Sequence, residues 1–427
     1  MRLARVRPGG ATVSPSLKQA LLARLDADQE HLIAFMRDFL RSPSANPPGD
    51  TQPAAATISR YLEQRGAPFQ ILAAKPHLPN VVGDFQCGAP GRHLVLNGHI
   101  DVFPPNDENG WSGDLRDGKL FGRGASDMKC GTAAGIFTYA YLHDIREQLN
   151  GRLTLTAVSD EQTGGRWGTR WLLETYPELV TGDCCLNGEP SGINNVRFME
   201  KGTLRFIVTI KTPGGHGGYP HLSESATKIA ARLMIDLDRF HGLMPTMPAD
   251  VTAVLTAPET VAVINAGLGQ GAADIVRQVT VNFGVVRGGR KINQIPDECV
   301  VEVDIRVPVG MDTAVMRQNV ANVIARYPEA RFDVVEDHSY PASSADPNGE
   351  MVKIIQANVQ ALKGFTPLPS SSLGGSDSRW WRYRGVPAYL YGPSPVSMGR
   401  SDEHVTVEEF LHVVRTHVLS AFDYLSR

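Results

Sequence analysis

Three short runs along the chain, HLVLNGHID (93–101), RLTLTAVSD (152–160) and DCCLNGEP (183–190), begin apolar or β-prone and end on a histidine or a carboxylate. Runs of this length read as buried strands, and the stretches between them are helical in pattern, for example GTAAGIFTYAYLHDI after Cys130. Strands alternating with helices imply an α/β sheet with substantial parallel pairing. In open sheets of that kind ligands bind outside the carboxyl ends of the strands. The polar residues therefore sit where a site should form.

The pattern changes near Lys201. KGTLRFIVTI reads as a strand with alternating faces and SESATKIAARLMIDLDRF as an amphipathic helix. TVNFGVVRGGRKINQIPDECVVEVDIRV then reads as two strands around a loop, and MDTAVMRQNVANVIARY as a second helix. Two helices against a small antiparallel sheet make a compact α+β insertion over residues 201–336. Residues 1–200 and 337–427 then form one α/β domain, a mostly parallel sheet flanked by helices. Two domains also suit 427 residues, more than one hydrophobic core usually serves. Residues 1–17, rich in Arg, Gly, Pro and Ser, are expected to be a loose arm before a helix around Leu17–Leu40.

Composition excludes several classes. With 42% hydrophobic and 20% charged residues the chain has the balance of a folded globular protein. A net charge of −3 without any Lys/Arg block argues against nucleic acid as a partner. No apolar run reaches the roughly eighteen residues of a membrane span. The start, MRLARVRPGG, lacks the apolar core of a secretory signal, so a cytoplasmic protein is expected. The five cysteines, odd in number and without a CxxC pair, suggest neither a disulfide framework nor a zinc ribbon.

Four elements carry the candidate chemistry. His99 and Asp101 stand two apart at a strand end, so their side chains leave one face. A metal-ligating histidine needs a partner on its other ring nitrogen, and Asp101 could be that partner. GRGASDMKCG (122–131) delivers Asp127 just ahead of a helix, SDEQTGG brings Glu161 to a strand end, and NGEPSG brings Glu189 to another. Singly, each has an ordinary explanation: local hydrogen bonds for His99, a helix cap at Asp127, turn chemistry at the two glutamates. Together they bring one histidine and several carboxylates to one edge, a donor set suited to a divalent cation.

The ordered motifs GHxD, GRGxxDxKxG, DE-x-x-GG, GEP, G-x-H-x-x-x-P, N-x-I-P, D-x-R and GGSD resemble the superfamily of carboxypeptidase G, aminoacylase, acetylornithine deacetylase and succinyl-diaminopimelate desuccinylase. The resemblance runs from about Leu32 to Leu425. It implies a metal-dependent hydrolase cleaving a C–N bond in a small carboxylate-bearing substrate. Carried over residue by residue, it implies that His99, Asp127 and Glu189 hold a divalent ion, zinc or manganese. Asp101 would orient His99, and Glu161 would be the general base for the attacking water. The insertion resembles the family's lid and dimerisation domain, which implies a homodimer. His216, in TPGGHGGYP, would reach the partner subunit's site and stabilise an oxyanion. Asn293 and Arg306 would hold the substrate carboxylate, with Gly375 and Ser376 of GGSD also at the substrate. For Arg306 an in-sheet ion pair with Asp304 is the alternative, and for His216 a place in a glycine turn. Trp380, Trp381, Tyr383 and Tyr391 could line the pocket or pack in the core.

Two departures from the resemblance matter. Family members with two ions place a second glutamate directly after the base, where this chain has Gln162. They also carry a histidine four residues before a glutamate near the C-terminus; aligning SMGRSDEHVTVEEF on Glu403 puts Gly399 there. A different alignment would use His404 with Glu408. The first alignment leaves both ligands exclusive to the second site missing, so one ion per chain is expected. A single ion weakens carbonyl polarisation, which opens a second branch. The superfamily's single-metal member, an aminohydrolase, replaces the amino group of 5-nitroanthranilate by hydroxyl. A retired protein that merely binds a carboxylate is a third class, opposed by the presence of His99, Asp101, Asp127, Glu161 and Glu189.

Overall fold

The computed structural model describes residues 15–427. The arm expected over residues 1–17 lies, up to residue 14, outside the described residues. The helix expected around Leu17–Leu40 is two helices, Pro15–Ala27 and Gln29–Arg41. They part at Asp28, whose carboxylate accepts the Tyr141 hydroxyl at 2.5 Å. The second buries Leu32, Phe35, Met36, Phe39 and Leu40, a stripe at three- and four-residue spacing.

The chain divides into two compact units. Among the described residues the first comprises the chain up to residue 196 with 348–368 and 384–427; the second comprises 197–347 and 369–383.

The sheet of the first unit runs in the order Phe69–Leu72, Asn80–Gln86, Asn150–Val158, Ala89–His99, Cys184–Asn187, Ala388–Leu390. The last four strands are mutually parallel, and the first two add an antiparallel edge. The three apolar runs thus become the middle of the sheet, buried on both faces as parallel strands require. The helix Lys129–Asp144 packs against this sheet and against the C-terminal helix Val407–Leu425. It has no polar face, and its residues 129–142 are all buried. Cys130, Cys184, Cys185 and Cys299 are buried, Cys87 is half-buried, and all five are free thiols.

In the second unit the antiparallel order is Thr280–Gly288, Glu298–Val307, Gly202–Lys211, Ala330–Val334. Alternation decides its faces. Leu204, Phe206, Val208 and Ile210 point to helices Ala226–Asp238 and Thr313–Ile324, meeting Ile229, Leu233, Met316 and Val320. Three helices absent from the sequence reading, Ala249–Thr256, Pro258–Leu268 and Ala272–Ile275, also fall here. The Val and Thr content of the first two favours strands by propensity, while Pro258 suits a first helical turn. No single helix among the described residues is long and apolar enough to cross a membrane.

Trp381 and Tyr391 are core residues, 1% and 0% exposed. Tyr391 anchors the C-terminal helix twice: its hydroxyl lies 2.7 Å from His412 Nε2, and its main-chain oxygen 2.6 Å from His417 Nε2. Burial holds both imidazoles down at about 4, against an ordinary 6.5. The unfolded chain therefore takes up protons first as pH falls, and stability is lost from about pH 6.5 down to about 4. The melting temperature should fall more steeply across that window in the native chain than in a His412→Gln/His417→Gln variant; parallel slopes would exclude this source of acid sensitivity.

Candidate metal centre

Register brings the candidate ligands together. Asn97 pairs with Asn187 on the neighbouring parallel strand, so His99 and Glu189, each two residues on, emerge side by side on the same face. On the other side His99 pairs with Val158, just before the turn carrying Glu161. Beneath them runs a buried amide ladder. Asn187 Nδ2 donates to Asn97 Oδ1 at 2.6 Å, Asn97 Nδ2 donates to Thr156 Oγ1 at 3.1 Å, and Asn187 Oδ1 accepts the Glu189 N–H at 2.7 Å. Asp127 arrives from above, on the loop before helix Lys129–Asp144. That helix start lies directly on the Glu189 strand end because Gly131 and Gly188 meet backbone to backbone; a Cβ on Gly131 would fall 1.8 Å from Gly188 O.

The result is an imidazole ringed by carboxylates. His99 Nε2 lies 3.1 Å from Asp127 Oδ1, 3.5 Å from Glu189 Oε1 and 3.8 Å from Glu161 Oε2. One donor atom each from His99, Asp127 and Glu189 lies within 4.8 Å of the others, the spacing of a site for one ion. Burial by itself disfavours a charged imidazole, yet the hydrogen bond to Asp127 and the charges of Glu189, Asp127 and Glu161 outweigh it and push the pKa well above the usual range. The donor set demands a positive charge at its centre, and a divalent cation fits that demand.

The Asp127 loop is held by a buried carboxylate that the sequence reading used only as an alignment mark. Glu403 Oε1 accepts the backbone N–H groups of Gly124, Ser126 and Asp127 at 3.1, 3.0 and 3.1 Å. Its Oε2 accepts from Arg123 Nη1 at 2.6 Å and from the Gly399 N–H at 3.3 Å. At the helix start, buried Lys129 donates to Phe39 O and Ser42 O at 2.8 and 2.7 Å.

Asp101 acts differently from the carboxylate–imidazole contact expected for it. His99 Nδ1 meets the Asp101 main-chain oxygen at 2.8 Å, while the nearest carboxylate oxygen is 3.5 Å away. That carboxylate instead accepts the backbone N–H groups of Glu161 and Gln162 at 3.2 and 3.0 Å, and Asn46 Nδ2 at 2.9 Å. The second-site positions are equally specific. Gln162 Nε2 donates to Asp127 Oδ2 at 3.3 Å, and Gly399, bonded to Glu403, faces open space where a side chain would stand. His404 is turned to the Asp402 main-chain oxygen at 2.7 Å and to the Phe121 ring. Among the described residues it joins no metal-capable group.

The remaining candidates belong to the second unit. His216 is exposed on a two-strand ribbon with Gln294–Ile295; its Nδ1 accepts the Gly218 N–H at 3.1 Å, which leaves Nε2–H as the outward donor. Asn293 is exposed on the same ribbon, its main-chain oxygen accepting from Gly217. Arg306 grips Asp304 with two nitrogens, at 2.7 and 3.0 Å, and Asp304 also accepts from Arg205. Ser376 donates its hydroxyl to buried Glu200 at 2.6 Å, and a Cβ on Gly375 would fall 2.3 Å from the Tyr340 hydroxyl. Sequence reasoning missed Asn46, whose place in SANPPGD reads only as a turn, and the Asn97–Asn187 ladder, which depends on register.

One imidazole and two carboxylates so placed could hold a divalent ion, the kind of centre with which hydrolases activate water. The chain belongs to peptidase family M20/M25/M40, whose family model matches residues 95–422. The succinyl-diaminopimelate desuccinylase of Gluconacetobacter diazotrophicus is 27% identical over 408 residues, covering 91% of this chain and 95% of the relative. That of Cereibacter sphaeroides is 27% identical over 397 residues, covering 88% and 94%. The M20 family metallo-carboxypeptidase Sso-CP2 from Sulfolobus solfataricus shares the fold with a TM-score of 0.78 at 16% identity, over 92% of this chain and 99% of that one. The Bacillus subtilis YXEP protein, a dinuclear metal binding peptidase, matches with a TM-score of 0.60 at 16% identity, over 94% and 99%.

Because Glu403 fixes the loop that aims Asp127, Glu403→Gln should weaken zinc binding by about 10- to 100-fold, the scale of losing a ligand's supporting contact. Calorimetric titration of the folded variant measures this, and native affinity would show that the loop holds without the charge.

Proposed function

We propose that this protein hydrolyses a C–N bond in a small carboxylate-bearing substrate, using one divalent ion held by His99, Asp127 and Glu189, with Glu161 as the general base. The observation that carries this reading is the convergence of those three donors with the Glu161 carboxylate 3.8 Å from the same imidazole nitrogen. When bound, zinc or manganese supplies a Lewis acid that polarises the bond under attack and makes water acidic enough to react near neutral pH. Glu161 takes the proton from the attacking water and returns it to the leaving nitrogen. Its main chain is anchored on Asp101, which favours a fixed base over a mobile one.

One ion is favoured over two because the second-site positions are Gln162, a neutral amide already donating to Asp127, and Gly399, which offers no donor atom. N-acyl amino acids are the first substrate class, in keeping with the desuccinylases the chain resembles. In this reading Asn293 and Arg306 receive the substrate carboxylate, with Arg306 exchanging Asp304 for it. Gly375 and Ser376 shape the substrate side, and the outward Nε2–H of His216 stabilises an oxyanion in the partner of a homodimer formed through the second unit.

The missing second-site ligands favour one further reading. An unactivated amide needs its oxygen polarised during attack, and a lone ion does less of this. A nitro-substituted aminobenzoate spreads the incoming charge into its own ring, so release of ammonia from such an aryl amine needs less help.

Purified protein should contain about one tightly bound divalent ion per chain; two at equal occupancy by elemental analysis would refute the single-ion reading. Screening the loaded enzyme against N-acyl amino acids, dipeptides and nitroaminobenzoates then separates the two substrate classes. Glu161→Gln should keep its metal while kcat falls by roughly 10²-fold or more. Loss of the ion in that variant would instead make Glu161 a ligand.

A further inference from the structure

We propose that Asn46 is a positioning residue for the turn that presents Glu161. The inference rests on Glu161 acting as the base, and it adds a residue that lies more than a hundred positions away in sequence and that no motif marks. Asn46 is buried, and its backbone is stitched to the chain just past Asp101: its N–H donates to Val102 O at 2.8 Å, and the Val102 N–H donates to Ser44 O at 3.0 Å. From that fixed base Nδ2 lies 2.9 Å from Asp101 Oδ2, 3.3 Å from Asp160 Oδ1 and 3.3 Å from Thr163 Oγ1.

Both carboxylates act on the Glu161 turn. Asp101 accepts the N–H groups of Glu161 and Gln162. Asp160, directly before Glu161, holds a left-handed conformation at φ 75°, uncommon outside glycine and, in aspartate, supported by local side-chain hydrogen bonds. Its side chain accepts from the Trp167 N–H at 2.9 Å and from the Thr163 hydroxyl, and its main-chain oxygen accepts from Thr163 and Gly165. Asp101 and Asp160 are both buried, 0% and 4% exposed, and their charges repel. The Asn46 amide brings two hydrogens and no charge between them, so it can donate to both at once. It thereby ties the residue before the base to the carboxylate that holds the base's own N–H. An apolar side chain there would leave both carboxylates short of a donor.

The test compares Asn46→Ala with Asn46→Asp in the full-length protein. Aspartate keeps the shape but replaces the donors with a third carboxylate, so a role in packing predicts that Asp is the milder change and a role in donation predicts that it is the harsher. Hydrogen exchange followed by mass spectrometry on the peptide spanning residues 159–165 should speed up by about tenfold or more in Asn46→Ala and further in Asn46→Asp. Peptides containing Asp127 and Glu189 should keep native rates, and zinc should bind within about threefold of the native affinity, since no ligand contact is lost. On whichever substrate class the native enzyme turns over, kcat should fall by about 10²-fold with KM changed by less than about threefold, the signature of a misplaced base. Unchanged exchange in both variants, the reverse order of severity, or accelerated exchange with native kcat would each overturn the proposal. If the native enzyme turns over neither class, the functional reading above fails by itself, while the exchange result still decides whether Asn46 holds the turn.

Discussion

Three carboxylates brought to within 4 Å of one buried imidazole nitrogen form an arrangement that repels itself, and the first unit is built to keep it in place. The positive charge they require is met at the centre, by a proton on His99 or by a cation. Around them, almost every supporting contact is a neutral or main-chain donor. Glu403 gathers the Asp127 loop through three backbone N–H groups, Asp101 gathers the Glu161 turn through two, and Asn187 holds Glu189 through one. Backbone donors satisfy a carboxylate without adding a cation that would draw the ligands away from the centre.

Parallel pairing makes this economy of parts possible. Strands that all run one way end at one edge, so a register set by apolar side chains in the core also sets which polar side chains meet beyond it. The glycines at 131 and 188 complete the geometry, since only backbone-to-backbone contact lets the Asp127 helix start sit on the Glu189 strand end. Desuccinylases share about a quarter of their residues with this chain, and the Sso-CP2 carboxypeptidase shares its fold at 16% identity. Next to the His99 centre stand an amide, Gln162, on the outer oxygen of Asp127, and open space at Gly399.

The strand-end motifs were legible because each couples a strong local signal, a β-prone run, to residue types that only a polar site explains. From them the sequence by itself determined the α/β class and the order in which His99, Asp127, Glu161 and Glu189 follow one another; the roles proposed for these residues, and for positions 162 and 399, came from the family resemblance. These depend on residue identity and order along the chain, which a linear reading preserves. Only the tertiary structure decided what each polar group does once neighbours distant in sequence arrive. It gave His99 the main-chain oxygen of Asp101 in place of the carboxylate, closed Arg306 onto Asp304, turned Ser376 to Glu200, and made Asn46 and Glu403 supports of the site. It also made helices of residues 249–275, where β-branched side chains favour strands locally. A hydrogen bond is chosen among the partners that folding brings within about 3 Å, and those partners, unlike the motifs, are not neighbours in the chain.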